Sequence, residues 1–153
     1  MAKYVFDSNI FIRLQRRQPI DIFPSLWNKI SDLMSDGTVI SSQEVYDELM
    51  IGEDDLGKWA KARKEYFLPS DVPVQQEVRR ILLSHRGLVE GGKKKNSADP
   101  FVIALAKQQG CKVVTEEAPS HNISAPKIPD VCSVFQIECV DFVAFAREEK
   151  FEF

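Results

Sequence analysis

Four acids stand where chemistry could be done. In KYVFDSN an apolar run, Tyr4 to Phe6, stops at Asp7 and passes into Ser8 and Asn9. In KVVTEE a second run stops at Thr115, followed by Glu116 and Glu117. Glu48 lies in EVYDELM and Asp99 in SADPFVIALA. Carboxylates that converge hold a hard divalent cation through oxygen, and they disfavour one another's ionisation when no cation is bound.

Each acid also has a purely structural explanation. Asp7 can cap a following helix, as Ser8 or Asn9 could. Glu48 adjoins the stripe set by Val45 and Leu49, which lets it turn toward a sheet edge. Glu44, one turn earlier, competes for that role. Asp99 directly before Pro100 reads as an N-cap ahead of a first-turn proline. Glu116 and Glu117 are alternatives for the last acid.

The elements that must position these residues alternate between strand-like and helix-like stretches. KYVF, TVIS (38–41), KVVTE and IECV read as strands. NIFIRLQRR opens as a helix, and DIFPSLWNKISDLMSDG carries Ile22, Leu26, Ile30, Leu33 and Met34 at helical spacing up to Gly37. Helices are expected across SQEVYDELMIG, DLGKWAKARKEYF, VQQEVRRILLSH, DPFVIALAKQQG and DFVAFAREEK. GLVEGGKKKNSA reads as a polar loop, and residues around Pro119, Pro126 and Pro129 as a proline-bearing one. This alternation predicts an α/β fold with a parallel sheet of about four to five strands and helices on both faces. Ligands of such sheets bind outside the carboxyl ends of the strands, where Asp7 and the Glu116–Glu117 pair would lie.

Length and composition narrow the chemistry. The 153 residues suit one domain, 1–153, with an ordinary core. No run approaches the roughly 18 apolar residues of a membrane helix, and no export signal opens the chain, so a cytoplasmic protein without membrane contact is expected. Cys111, Cys132 and Cys139 lack a CxxC spacing and read as reduced thiols. Two histidines, His85 and His121, argue against zinc and against a Ser-His-Asp triad. With a net charge of −3, nucleic-acid contact would need local basic clusters. Lys93, Lys94 and Lys95 precede Asp99, and Arg13, Arg16 and Arg17 follow Asp7. Arg79, Arg80 and Arg86 form a third group, while Trp59 and Tyr66 read as core. A phosphoaspartate enzyme would need a second acid two residues after the first, and Asn9 stands there. The order of acids does not match a receiver domain either.

Taken in order, VFDSN, the EL pair of Glu48 and Leu49, ADPFVIALA and VVTEE resemble the motifs of PIN-domain nucleases. By position, the resemblance assigns metal-holding and catalytic roles to Asp7, Glu48, Asp99 and Glu117, with Ser8, Asn9 and Thr115 orienting them. IPDVC at 128–132 resembles a subgroup of that family. Glu at 117 departs from the family's usual Asp. The resemblance implies a PIN-like fold, an endoribonuclease dependent on Mg²⁺ or Mn²⁺, and RNA as substrate, contacted by Lys93, Lys94, Lys95 and Arg13. It further implies the toxin of a toxin–antitoxin pair, with an antitoxin partner and homodimers frequent. The alternatives are a non-catalytic RNA- or protein-binding domain on a PIN-like fold and, behind it, a phosphoaspartate-type phosphatase. The closing REEKFEF poses a separate choice, with Phe151 and Phe153 either folding back beside Phe142 and Phe145 or anchoring a partner chain.

Overall fold

Tyr4–Phe6, Val39–Ser42 and residues 113–114 are buried position after position. Strands with no alternating exposed side must be covered on both faces, which is the condition of an all-parallel sheet. The computed structural model describes residues 1–52, 54–90 and 98–153. In it β1 (Tyr4–Phe6), β2 (Val39–Ser42), β3 (Phe67–Leu68), β4 (Lys112–Val114) and β5 (Cys139–Val140) form one sheet ordered β3-β2-β1-β4-β5. Every neighbouring pair is parallel. The chain steps outward from β1 to β3, then returns to lay β4 and β5 on the other side of β1. The order therefore reverses between β1 and β4, and a crevice opens beyond their carboxyl ends.

The described helices are α1 (Ser8–Arg17), α2 (Pro24–Ser35), α3 (Gln43–Met50), α4 (Asp55–Lys61), α5 (Val72–Ser84), α6 (Gly87–Glu90), α7 (Asp99–Gln109), α8 (Ile128–Val134) and α9 (Phe142–Glu148). Tyr4 and Phe6 point to one face because strand side chains alternate. There their rings meet Phe145 of α9 edge-on at 4.8 and 4.9 Å, and Phe6 also meets Phe11 of α1 at 5.4 Å. Trp59 extends this layer, 5.0 Å from Trp27, and is core as its sequence context suggests. The opposite face is covered by α7, which lies across β1, β2 and β4 and packs on α5. Val102 to Ala106 of α7 are all buried, and Gly110 ends the helix at a φ of 66° that favours glycine.

Several expectations need correction. The helix foreseen across DLGKWAKARKEYF stops at Lys61; a short 3₁₀ turn, Lys64–Tyr66, leads into β3. Two residues of strand carry no periodicity of their own, so Phe67 mimics a helical position. Helix α2 begins at Pro24 rather than Asp21, because proline suits a first turn, and Ile22 is left exposed. The proline-bearing loop contains α8, with Pro129 in its first turn, so IPDVC is helical. GLVEGGKKKNSA opens with the short α6. Asp99 is not an N-cap: Ala98 holds that position without a side-chain bond, and Asp99 is the first helical residue.

At the C-terminus the two rings part company. Phe151 is half-buried, 5.5 Å from Phe145 and 6.2 Å from Phe142, with the Lys29 ammonium 4.9 Å from its centroid. Phe153 is 74% exposed.

Candidate metal centre

The parallel ladder sets the exits of β1 and β4 level, with the Asp7 N–H donating to the Val114 carbonyl at 3.1 Å. Asp7 does cap α1, its Oδ1 accepting from the Ser8 N–H at 2.7 Å. Its Oδ2 accepts from the Thr115 hydroxyl at 3.0 Å. The same Thr115 oxygen accepts from the Glu117 N–H at 3.2 Å and the Asn9 amide at 3.3 Å. Asn9 Oδ1 accepts from the Glu116 N–H. Asn9 and Thr115 thus bind DSN to TEE across the switch point, while Ser8 holds Asp7 from within DSN.

Onto this frame three carboxylates converge. Asp7, Asp99 and Glu117 each present an oxygen, all within 4.8 Å of one another. Asp7 is 1% exposed and Asp99 5%. Glu117 is half-buried, its Oε1 accepting from the Ile128 N–H at 3.1 Å. Glu48 adjoins them from α3. Its Oε1 is buried and has no hydrogen-bond partner among the described residues.

The electrostatic cost shows in proton affinity. Burial, and then the Glu117 charge, push Asp7 up to about 7 despite the bonds from Thr115 and Ser8. Burial pushes Asp99 up to about 9, with Asp7, Glu117 and Glu48 adding to it and Lys127 opposing. Burial raises Glu48 as well, against the Ser8 side chain and the Ala98 backbone. An all-oxygen donor set, an orphaned buried carboxylate oxygen and mutually opposed charges are what a hard divalent cation would satisfy. The residues fit such an ion.

The other sequence candidates fall elsewhere. Glu44 accepts from the Ser70 hydroxyl, away from the cluster. Glu116 turns toward α9, its Oε1 accepting from the Phe142 N–H at 3.1 Å. Arg13 is exposed and lines an apolar groove of about 550 Å³ with Leu14, Arg17, Phe142 and Phe151. Lys93, Lys94 and Lys95 lie outside the described residues. Sequence reasoning missed Lys127, whose charge acts on Asp99, and Ile128, whose N–H holds Glu117. Their local signals are the IPDVC stretch that Ile128 opens and the turn from loop to helix at Pro129. Cys111 and Cys132 are buried and Cys139 is half-buried, all unpaired.

A family model described as "Domain of unknown function (DUF4411)" matches residues 4–153. The chain belongs to the DUF4411 family. No curated protein matches it. Solved structures do resemble this DUF4411 member. The crystal structure of VapBC2 from Rickettsia felis bound to a DNA fragment from their promoter aligns with a TM-score of 0.55 at 13% identity, over 92% of this chain and 98% of that one. The structure of FitAB bound to IR36 DNA aligns with a TM-score of 0.55 at 18% identity, over 90% and 94%. FitAcB from Neisseria gonorrhoeae aligns with a TM-score of 0.50 at 20% identity, over 89% and 95%. Likeness at such identities is likeness of fold, and the fold is PIN-like. Among the described residues no helix is long and apolar enough to cross a membrane.

Proposed function

We propose that this DUF4411 member is a metal-dependent endoribonuclease and the toxin of a toxin–antitoxin pair, formed by one domain spanning 1–153. The convergence of Asp7, Asp99 and Glu117 within 4.8 Å at the switch point, beside the orphaned Glu48 oxygen, carries the reading. Asp7, Asp99 and Glu117 would hold Mg²⁺ or Mn²⁺, with Glu48 completing the set. When bound, the cation supplies positive charge that offsets the charge gathering on a phosphodiester under attack.

The chain's own residues do the rest. Thr115 and Ser8 hold Asp7 by its two oxygens, so its orientation is set before any ligand arrives. Asn9 keeps the loop after β4 against the start of α1. Lys127 brings a cation to the border of an otherwise acidic site, where a substrate phosphate would pass. Arg13, and in sequence Lys93, Lys94 and Lys95 shortly before Asp99, are the further cations offered to RNA phosphates. The similarity to VapBC2 and FitAB supports an antitoxin protein as partner.

Asp7→Asn and Asp99→Asn test the proposal. Each is expected to abolish Mn²⁺-dependent RNA cleavage while leaving the circular dichroism spectrum unchanged. Cleavage at the wild-type rate by either variant removes that residue from the site. A wild-type protein whose melting temperature Mn²⁺ does not raise is instead a binding domain on a PIN-like fold.

A further inference from the structure

IPDVC is the one sequence motif that the acid cluster does not absorb, and its Asp130 makes an unusual set of bonds. Oδ2 accepts from the Ser120 N–H (2.9 Å), the Ser120 hydroxyl (2.8 Å) and the Lys127 N–H (2.7 Å). Oδ1 accepts from the His121 N–H at 3.1 Å. One carboxylate thus gathers both ends of the segment between Glu117 and α8. His121 sits at a φ of 55°, a conformation that a non-glycine residue keeps only where its surroundings hold it. Burial works to raise the Asp130 carboxyl, yet the bonds from Lys127, Ser120 and His121 outweigh it and hold the group well below the usual carboxylate range.

The segment matters because its far end reaches the acid cluster. Lys127 is fastened by Asp130, and the next N–H in the chain, that of Ile128, donates to Glu117 Oε1. Glu117 is the least buried of the three converging acids and lies in the loop beyond β4, so this bond fixes where its carboxylate points. We propose that Asp130 is a positioning residue for the acid cluster, holding residues 120–128 in the arrangement in which the Ile128 N–H keeps Glu117 within reach of Asp7 and Asp99. The consequence for cation affinity rests on the nuclease reading; the positioning itself does not.

The experiment compares wild type, Asp130→Ala, Asp130→Asn, Glu117→Gln and the double variant Asp130→Ala/Glu117→Gln. Mn²⁺ affinity is measured by calorimetry, and the Ile128 amide is followed by ¹⁵N NMR in metal-free protein. Loss of a group that orients a ligand weakens metal binding about 10- to 100-fold, and that loss is expected for Asp130→Ala. Asp130→Asn should lose less, since it keeps one acceptor oxygen. In the Glu117→Gln background, Asp130→Ala should cost nothing more, because the residue it acts through is already gone. Unchanged affinity in Asp130→Ala, or losses that add in the double variant, overturns the proposal. If Asp130→Ala does not fold, the same comparison is made with Asp130→Asn. If wild type binds no Mn²⁺, the metal reading fails and the amide decides alone. Glu117→Gln should shift the Ile128 resonance in wild type but not in Asp130→Ala. A shift that survives there overturns the positioning claim.

Discussion

Asp99→Asn should make the metal-free protein more stable while abolishing cleavage. Asp99 titrates at about 9 in the fold, raised from an ordinary 3.8, with burial as the largest cause. An acid whose folded value is raised is protonated in the native state while the unfolded chain is ionised. Stability is therefore lost as pH climbs from about 4 to about 9. Each pH unit in that window is worth about 1.4 kcal/mol. At pH 7 roughly three units have accrued, a ceiling of about 4 kcal/mol. Asn is uncharged at every pH but does not reproduce the neutral carboxyl's bonding, so about half the ceiling, ~2 kcal/mol, is expected. For a chain of this length that is a rise of about 4–8 °C in melting temperature. Calorimetric scans in EDTA at pH 5, 7 and 8 should show the gap between variant and wild type widening with pH. Adding Mn²⁺ should narrow or reverse it, since only wild type gains by binding. A variant less stable than wild type at pH 8 in EDTA, or a gap independent of pH, refutes the electrostatic account of the cluster.

Because protons on Asp7 and Asp99 compete with a cation, Mn²⁺ affinity should rise at least tenfold from pH 6 to pH 8, with proton release visible as buffer-dependent heats of binding; a pH-independent affinity contradicts this. Lys127→Ala should raise KM for RNA and reduce the slope of log affinity against log salt by about 1 or less, as loss of one phosphate contact does. An unchanged slope places Lys127 off the substrate path. Phe151→Ala should lower the melting temperature by the equivalent of about 1–2 kcal/mol for a half-buried ring, while Phe153→Ala leaves it unchanged. Equal effects from both would mean that the two rings share one environment.

Asp7 and Glu117 are legible in the sequence because each follows an apolar run that stops abruptly, and parallel strands put such stops at one edge. The sheet itself is legible for the same reason: β1, Val39–Ile40 of β2 and Val113–Val114 of β4 are short apolar runs between helical periods. Asp99 reads as a cap because a proline follows it, yet Ala98 occupies the cap, a distinction of one residue that propensity does not resolve. Nothing in the local pattern separates Glu116 from Glu117. The choice falls to two distant backbone groups, the Phe142 and Ile128 N–H, which draw the side chains apart. Glu48 and Glu44 differ in the same way, by what lies opposite: Ser70 for one, the cluster for the other. Lys127 is silent in sequence because its charge reaches the site through tertiary contact alone; Asp130 is visible within IPDVC, but nothing local announces its bonds to Ser120 and His121.

The acids that meet come from widely separated stretches: Asp7 and Thr115 touch across 108 positions of chain. β1, first in the sequence and central in the sheet, finds its β4 neighbour only when residues 112–114 have been made. During synthesis, then, a chain made as far as residue 100 carries Asp7, Glu48 and Asp99 but neither β4 nor Glu117. Pairing so remote in sequence is slow to close, and a fragment cut anywhere before Glu117 lacks one wall of the cluster. On the nuclease reading, a nascent chain has no complete acid cluster until Glu117 has been made.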